Sequence, residues 1–377
     1  VAVRRNPFKP TAGALPPLLV GRQDVIDEFV ESIEDGPGAP GRITIFTGPR
    51  GVGKTVMLTE VADQVRQLGW VTISDAATPG LVARMTHALT RRVDELGDKP
   101  TRPMTGFTLP GVGGGLTFAP PPEVVVDFRG QLGKLLDLLE PHGTGLMLAV
   151  DEVHRKSIDD LRALATTYQL LTSEGRNVAL AMAGLPSSVS DLLSDDILTF
   201  LRRANREVLD DVPLGEVRDA LGKTVTDEGR TITDDALEEA TAATGGYPFM
   251  IQLVGYHVWR KADGDVIDLA AVRAGVPAAR KRLGSTVHET ALADLSAVDR
   301  TYLLAMSHDD GPSRTGEVAK RMDVTPFYAS TYRARLIDAG IIEAVDHGYV
   351  DFAIPYLREY LREHAARYEM AARHRKR

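Results

Sequence analysis

The stretch Gly48-Pro49-Arg50-Gly51-Val52-Gly53-Lys54-Thr55 fits the pattern Gly-x4-Gly-Lys-[Ser/Thr], and its flanks decide how it is read. Before it, Arg42-Ile43-Thr44-Ile45-Phe46-Thr47 is β-branched and bounded by Gly41, the mark of a buried strand. After it, Leu58, Val61, Ala62 and Val65 recur at helical spacing. A strand feeding a glycine-rich turn that opens a helix aims backbone N–H groups and the positive end of the helix dipole at one point. Gly48, Gly51 and Gly53 let the loop, with Pro49, Arg50 and Val52, curl tightly around an anion. Lys54 can then reach β- and γ-phosphates, and Thr55 offers a hydroxyl to Mg²⁺. The stretch is read as a nucleotide site with Mg²⁺.

Composition narrows the setting. The 377 residues have room for two or three domains, and 43% apolar with 25% charged content is ordinary for a soluble globular chain. The absence of cysteine excludes disulfides, cysteine zinc sites and thiol catalysis. No apolar run approaches the ~18 residues that span a bilayer, so no membrane partner and a cytoplasmic location are expected. The net charge of −8 argues against a protein that coats nucleic acid over its whole surface. Residues 297–377 are nearly balanced in charge, which makes the C-terminal end the less repulsive one for a polyanion.

The chain divides into 1–212, 213–295 and 296–377. Pro7, Pro10, Pro16 and Pro17 predict an irregular arm, followed by a helix over 23–34. Strands are expected at 70–74, 146–150 and 177–183, with a weaker fifth at 207–212, alternating with helices such as 79–96. This is the pattern of an α/β parallel sheet covered on both faces, whose ligands sit at the carboxyl ends of its strands. The glycine-rich stretch inside 101–122 suggests an inserted hairpin; no Lys-Ser/Thr follows it, so it is not a second phosphate loop.

Asp151 and Glu152 end the apolar run Leu146-Met147-Leu148-Ala149-Val150. Asp151 stands where a carboxylate holds Mg²⁺ opposite a phosphate loop, and Glu152 could polarise a water for attack on the γ-phosphate. Arg202, Arg203 and Arg206 read as a polar helix face before the fifth strand. Arg203 is a candidate arginine finger toward a neighbouring subunit, with a solvated charge cluster as the other reading. From 213 to 295 the pattern is purely helical. Thr233 can cap one helix, and Gly245-Gly246-Tyr247-Pro248 breaks the run, with Pro248 opening the next helix or closing a lid on the nucleotide.

Beyond 296, helices at 314–322 and 326–338 flank a turn at 323–325, and 341–345 with 349–352 form a hairpin. Two short helices joined by a tight turn suit a helix-turn-helix whose second helix enters a major groove. Ser330, Thr331, Arg333 and Arg335 would then face duplex DNA. The same shape also serves protein contacts, and Asp346 and Asp351 on the hairpin would repel phosphate. The basic tail 373–377 either adds phosphate contacts or is a solvated end.

Taken together these residues resemble an AAA+/STAND-type ATPase, of the prokaryotic kind related to archaeal-type ATPases and origin-recognition initiators. The resemblance runs through Val20-Gly21-Arg22 (a small motif that contacts adenine), the Walker A residues 48–55 and the Walker B residues 148–152 with the catalytic Glu152. It continues through Gly246-Tyr247-Pro248, similar to the G-x-P of STAND lids, to a closing winged helix. It implies an ASCE P-loop NTPase sheet with a helical lid and a C-terminal winged-helix domain, with ATP or ADP as the nucleotide. Two departures stand out: Ala183-Gly184 lacks the usual polar sensor, and no clear lid arginine is present. Both imply slow hydrolysis and a switch that places the winged helix. Self-association through the ATPase domain, or a protein partner, is the companion expectation. Asp151-Glu152-Val153-His154 also resembles a helicase box, but only one motor domain is visible.

Overall fold

The computed structural model describes residues 5–11, 13–16, 19–97, 127–293 and 295–365. The expected hairpin within 101–122 and the basic tail 373–377 lie outside them.

Five strands, β1 (Ile43–Thr47), β2 (Val71–Ala76), β3 (Leu146–Val153), β4 (Val178–Gly184) and β5 (Asn205–Val208), form one sheet in the order β2-β3-β4-β1-β5. Every pairing is parallel. The alternation of side chains along the strands sorts the core into two layers. Ile45, Leu146, Leu148, Val150, Leu180 and Met182 face one way. There they meet helices α3 (Leu81–Leu96), α4 (Phe128–Leu139), α5 (Ile158–Ser173) and α6 (Pro186–Leu193). Phe46, Met147, Ala149, Ala179, Ala181 and Ala183 face the other way, toward α1 (Gln23–Glu34) and α2 (Lys54–Gln67). The alanines on this second face let α2 sit close to the sheet, which fixes the loop before it at the strand ends.

The fifth strand corrects the sequence reading. It begins at Asn205 rather than 207, so Arg206 lies in the strand and Arg202 and Arg203 in the short turn before it, not on one helix face. At the sheet edge its side chains alternate half-buried and exposed, with Val208 61% exposed, so no continuous apolar run marks it.

Helices α7 (Leu214–Asp227), α8 (Asp234–Thr244), α9 (Pro248–Lys261) and α10 (Leu269–Leu283) make the second unit, around a core that includes Val217, Tyr247, Leu253 and Val272. It is not purely helical: β6 (Thr231–Ile232) and β7 (Val266–Ile267) form a two-stranded parallel ladder. Thr233 precedes α8 as expected, but its hydroxyl donates to the Asp235 carboxylate instead of capping the helix amides. The arm packs here, with Phe8 buried against Gly255 and Asn6 Nδ2 donating to the Tyr256 carbonyl at 2.9 Å.

A π-helical turn, Gly284–His288, leads from α10 into α11 (Glu289–Ala293) and the third unit. This comprises α12 (Ala297–Ser307), β8 (Ser313–Arg314), α13 (Thr315–Arg321), α14 (Pro326–Asp338), β9 (Ile342–Asp346), β10 (Tyr349–Phe352) and α15 (Leu357–Glu363). Its antiparallel sheet runs β8-β10-β9. Arg314, read as the start of a helix, lies in β8 with Ser313 and pairs with β10 instead. Among the described residues, no helix is long and apolar enough to cross a membrane.

Candidate functional site

The loop after β1 and the end of β3 face each other at the carboxyl edge of the sheet. Gly53 takes a positive φ of 97° and α2 begins at Lys54, so the first free amides of that helix point into the loop. The Lys54 ammonium donates to the carbonyls of Gly48 at 2.8 Å and Pro49 at 2.5 Å. Burial pulls its pKa down from 10.5 to about 8; Asp151 and Glu152 oppose the shift and Arg50 adds to it.

Thr55 Oγ1 donates to Asp151 Oδ2 at 2.6 Å, joining residues 96 positions apart in sequence. The register of β3 on β4 shifts between Val150 and Val153, so Asp151 and Glu152 bulge out of the ladder. Glu152 holds φ +54°, a left-handed backbone that a glutamate adopts only under constraint, and its amide donates to Asp151 Oδ1 at 2.8 Å. Its carboxylate is exposed beside the loop. One hydroxyl and one carboxylate are hard oxygen donors that suit Mg²⁺. Among the described residues no group of three or more His, Asp or Glu could hold a metal alone. A Mg²⁺ here would take its remaining ligands from phosphate and water.

These groups open on a cavity of about 820 Å³, within the range of nucleotide-sized pockets. Val20, Arg22, the loop from Arg50 to Thr55, Asp151, Glu152 and Pro248 all line it. Gly48 and Pro49 lie behind, as acceptors for Lys54, and Gly21 is off the wall with φ +64°. Arg22 donates to the backbone carbonyl of Asp210, and burial depresses its pKa against the pull of Asp210, Glu216 and Asp211. It therefore ties the Val20-Gly21-Arg22 segment to the entry of the helical unit.

Two residues passed over in the sequence belong to the wall. Tyr247 is only 1% exposed, and its hydroxyl donates to the Arg50 carbonyl at 3.1 Å. A Cβ at Gly51 would lie 1.8 Å from that oxygen, so glycine is required there by space as well as by its φ of +79°. Arg282, in the last turn of α10, also lines the cavity. Gly184 contributes no polar group; Ser188, in the first turn of α6, lines the cavity beyond it.

Other candidates stand apart. Arg203 is exposed on its turn and outside the cavity. Ser330 and Thr331 are exposed on α14, while Arg335 pairs at 3.1 Å with the buried carboxylate of Asp299. Arg333 is half-buried with its Nε lacking a partner. Arg335 is thus outward, as expected, but ion-paired, and Arg333 is partly covered.

Residues 18–181 match the AAA ATPase domain family, and residues 285–361 match a domain family of unknown function, DUF8462. No curated protein matches the chain. Among solved structures, the Walker-type ATPase PABY2304 of Pyrococcus abyssi is similar in fold, with a TM-score of 0.64 at 16% identity over 91% of this chain and 96% of that one. Cdc6p of Pyrobaculum aerophilum gives 0.48 at 14% identity, covering 94% and 96%. Aeropyrum pernix Orc1, solved with DNA, gives 0.45 at 15%, covering 92% and 94%. The matched 18–181 span holds the phosphate loop, the Asp151 strand and the sheet between them, and this part of the chain is similar to AAA ATPase domains.

Proposed function

We propose that the chain binds Mg·ATP at residues 48–55, hydrolyses it slowly, and uses the nucleotide state to position a C-terminal winged helix on duplex DNA. The observation that carries the nucleotide reading is the 2.6 Å contact between Thr55 and Asp151 beside a half-buried Lys54, a donor set suited to a metal–phosphate unit. In this reading Lys54 and the loop amides hold the phosphates, and Thr55 and Asp151 would hold a Mg²⁺ ion, whose chemistry there would be charge neutralisation. Glu152 orients the attacking water and accepts its proton. Ser188 and Arg282 stand where a γ-phosphate could be sensed, and Arg203 could act only on a neighbouring copy's site.

The helix–strand–helix–helix–hairpin order of residues 297–363 supports the winged-helix reading. The segment leading into it also lines the cavity, through Thr286, Val287 and Thr290, which supports a switch. For the DNA output, Ser330 and Thr331 offer hydroxyls on an open face of α14. Duplex affinity measured across a salt series tests it, since contacts to several phosphates make log K fall steeply with log salt. An affinity flat in salt, or absent in every nucleotide state, removes the DNA role.

A specific observation favours a second reading, in which the module docks protein. Arg335 is committed to Asp299, and Phe327 at the start of α14 is 86% exposed with Tyr328 beside it, so the open face is more aromatic than cationic.

A further inference from the structure

The turn over residues 243–247 touches all three units. The Gly246 carbonyl accepts the amide of Val212 at 2.8 Å, where the chain enters the helical unit. Tyr247 reaches the phosphate loop, donating to the Arg50 carbonyl in the space that Gly51 leaves open. From the other side comes Tyr356, of the C-terminal unit. Its hydroxyl donates to the Ala243 carbonyl at 3.3 Å, and a Cβ on Gly245 would lie 2.5 Å from that oxygen. The Tyr356 ring packs against the core of the helical unit, and its backbone is held at φ +62°, which a tyrosine adopts only when its surroundings impose it.

We propose that Tyr247 and Tyr356 form a relay through this turn, coupling the filling of the phosphate loop to the seating of the C-terminal unit. The relay rests on the reading of residues 48–55 as a triphosphate site. Both tyrosines bond to backbone carbonyls, so a rotation of the Arg50–Gly51 peptide passes into main chain and is not absorbed by a flexible side chain. The turn moves as one body. Thr244 Oγ1 donates to the Thr241 carbonyl at 2.7 Å and accepts from the Gly246 amide at 3.1 Å, and Pro248 fixes φ immediately after. Tyr247 and Tyr356 are positioning residues; neither is assigned a chemical step.

The test uses the full chain, with calorimetry to establish saturation by a slowly hydrolysed Mg·ATP analogue and amide hydrogen exchange read over residues 354–361. In the wild type, nucleotide should change exchange there by about fivefold or more, the lower end of measured couplings between sites. In Tyr356→Phe the change should shrink to under about twofold although calorimetry still registers binding; in Tyr247→Phe, a cavity-wall variant, the same shrinkage is read at the nucleotide concentration that saturates the variant. A response as large in Tyr356→Phe as in the wild type overturns the relay. So does a wild type that binds nucleotide with no response at 354–361. A wild type that binds none removes the triphosphate reading, and the relay with it. If Tyr247→Phe does not fold, Tyr356→Phe decides alone, since Tyr356 lies outside the cavity wall.

Discussion

Lys54 carries the most testable electrostatics of any single residue in the chain. Burial brings its ammonium down to about 8, so it begins to lose its proton just above neutrality, whereas a triphosphate favours the charged form. Nucleotide affinity should therefore fall as pH rises through about 8, and binding at pH 9 should take up close to one proton where binding at pH 7 takes up almost none. Calorimetry in buffers of different ionisation enthalpy reads this directly; equal proton uptake at both pH values would remove the ammonium from the phosphate. For folding the sign is opposite. Between about 8 and 10.5 the unfolded chain holds a proton that the folded chain has shed, so this group's contribution to stability grows with pH. At Glu152, replacement by Gln keeps size and removes the base. The variant should bind ATP and lose turnover by about 10²–10⁴-fold. Unchanged single-turnover hydrolysis would take Glu152 out of the chemistry. At Gly51, Ala must displace Tyr247 and adopt φ +79°, so Gly51→Ala should lower stability by about 1–3 kcal/mol in a denaturant titration. A melt matching the wild type would mean that the Tyr247 contact is slack.

At the scale of elements, what was legible in the sequence was what is local. The strand, loop and helix around residues 43–67 announce themselves because alternation, glycines and helical spacing all fall within one short window. Residues 146–150 and 178–183 read as strands because burial on both faces makes them wholly apolar. The edge strand Asn205–Val208 lacks that signal, and Ser313–Arg314 is too short to carry any. Tyr247 was unreadable as a site residue because its partner Arg50 is 197 positions away. The partner of Arg335 was hidden for the same reason. Helical spacing put Arg335 outside, where it lies, but Asp299, only 1% exposed, pairs with it from another helix. That carboxylate also accepts from the Ser296 amide at 2.9 Å and hydroxyl at 2.7 Å, closing the capping box of α12. Arg335→Ala should therefore destabilise the C-terminal unit by about 1–2 kcal/mol, less than a fully buried pair because the arginine is half exposed. Thermal unfolding of the variant checks it; an unchanged midpoint with weakened DNA binding would instead restore Arg335 to the DNA face.

At the scale of the whole molecule, the cavity has walls from the sheet unit, the helical unit and the segment leading into the C-terminal unit: the phosphate loop, the start of α9, the end of α10 and residues within 286–291. The arm completes it, with the Lys9 amide donating to Gln252 Oε1 at 3.1 Å and Pro10 and Thr11 on the rim. The C-terminal unit is docked back on the sheet side as well. Ser187 Oγ donates to the Asp338 carbonyl at 3.2 Å, and Gly340 lies against Leu185, itself a cavity residue. A ligand in that cavity thus touches the pieces whose relative placement would be the output, as a nucleotide switch requires. All of this depends on a polyphosphate occupying the loop. Calorimetric titration of Mg·ATP into the wild type and Lys54→Ala tests that most directly. The expected result is one site per chain in the wild type and an affinity at least about 100-fold weaker in the variant, the loss of a half-buried charge-assisted contact. Equal affinity in the two proteins, or no heat in either, would contradict it.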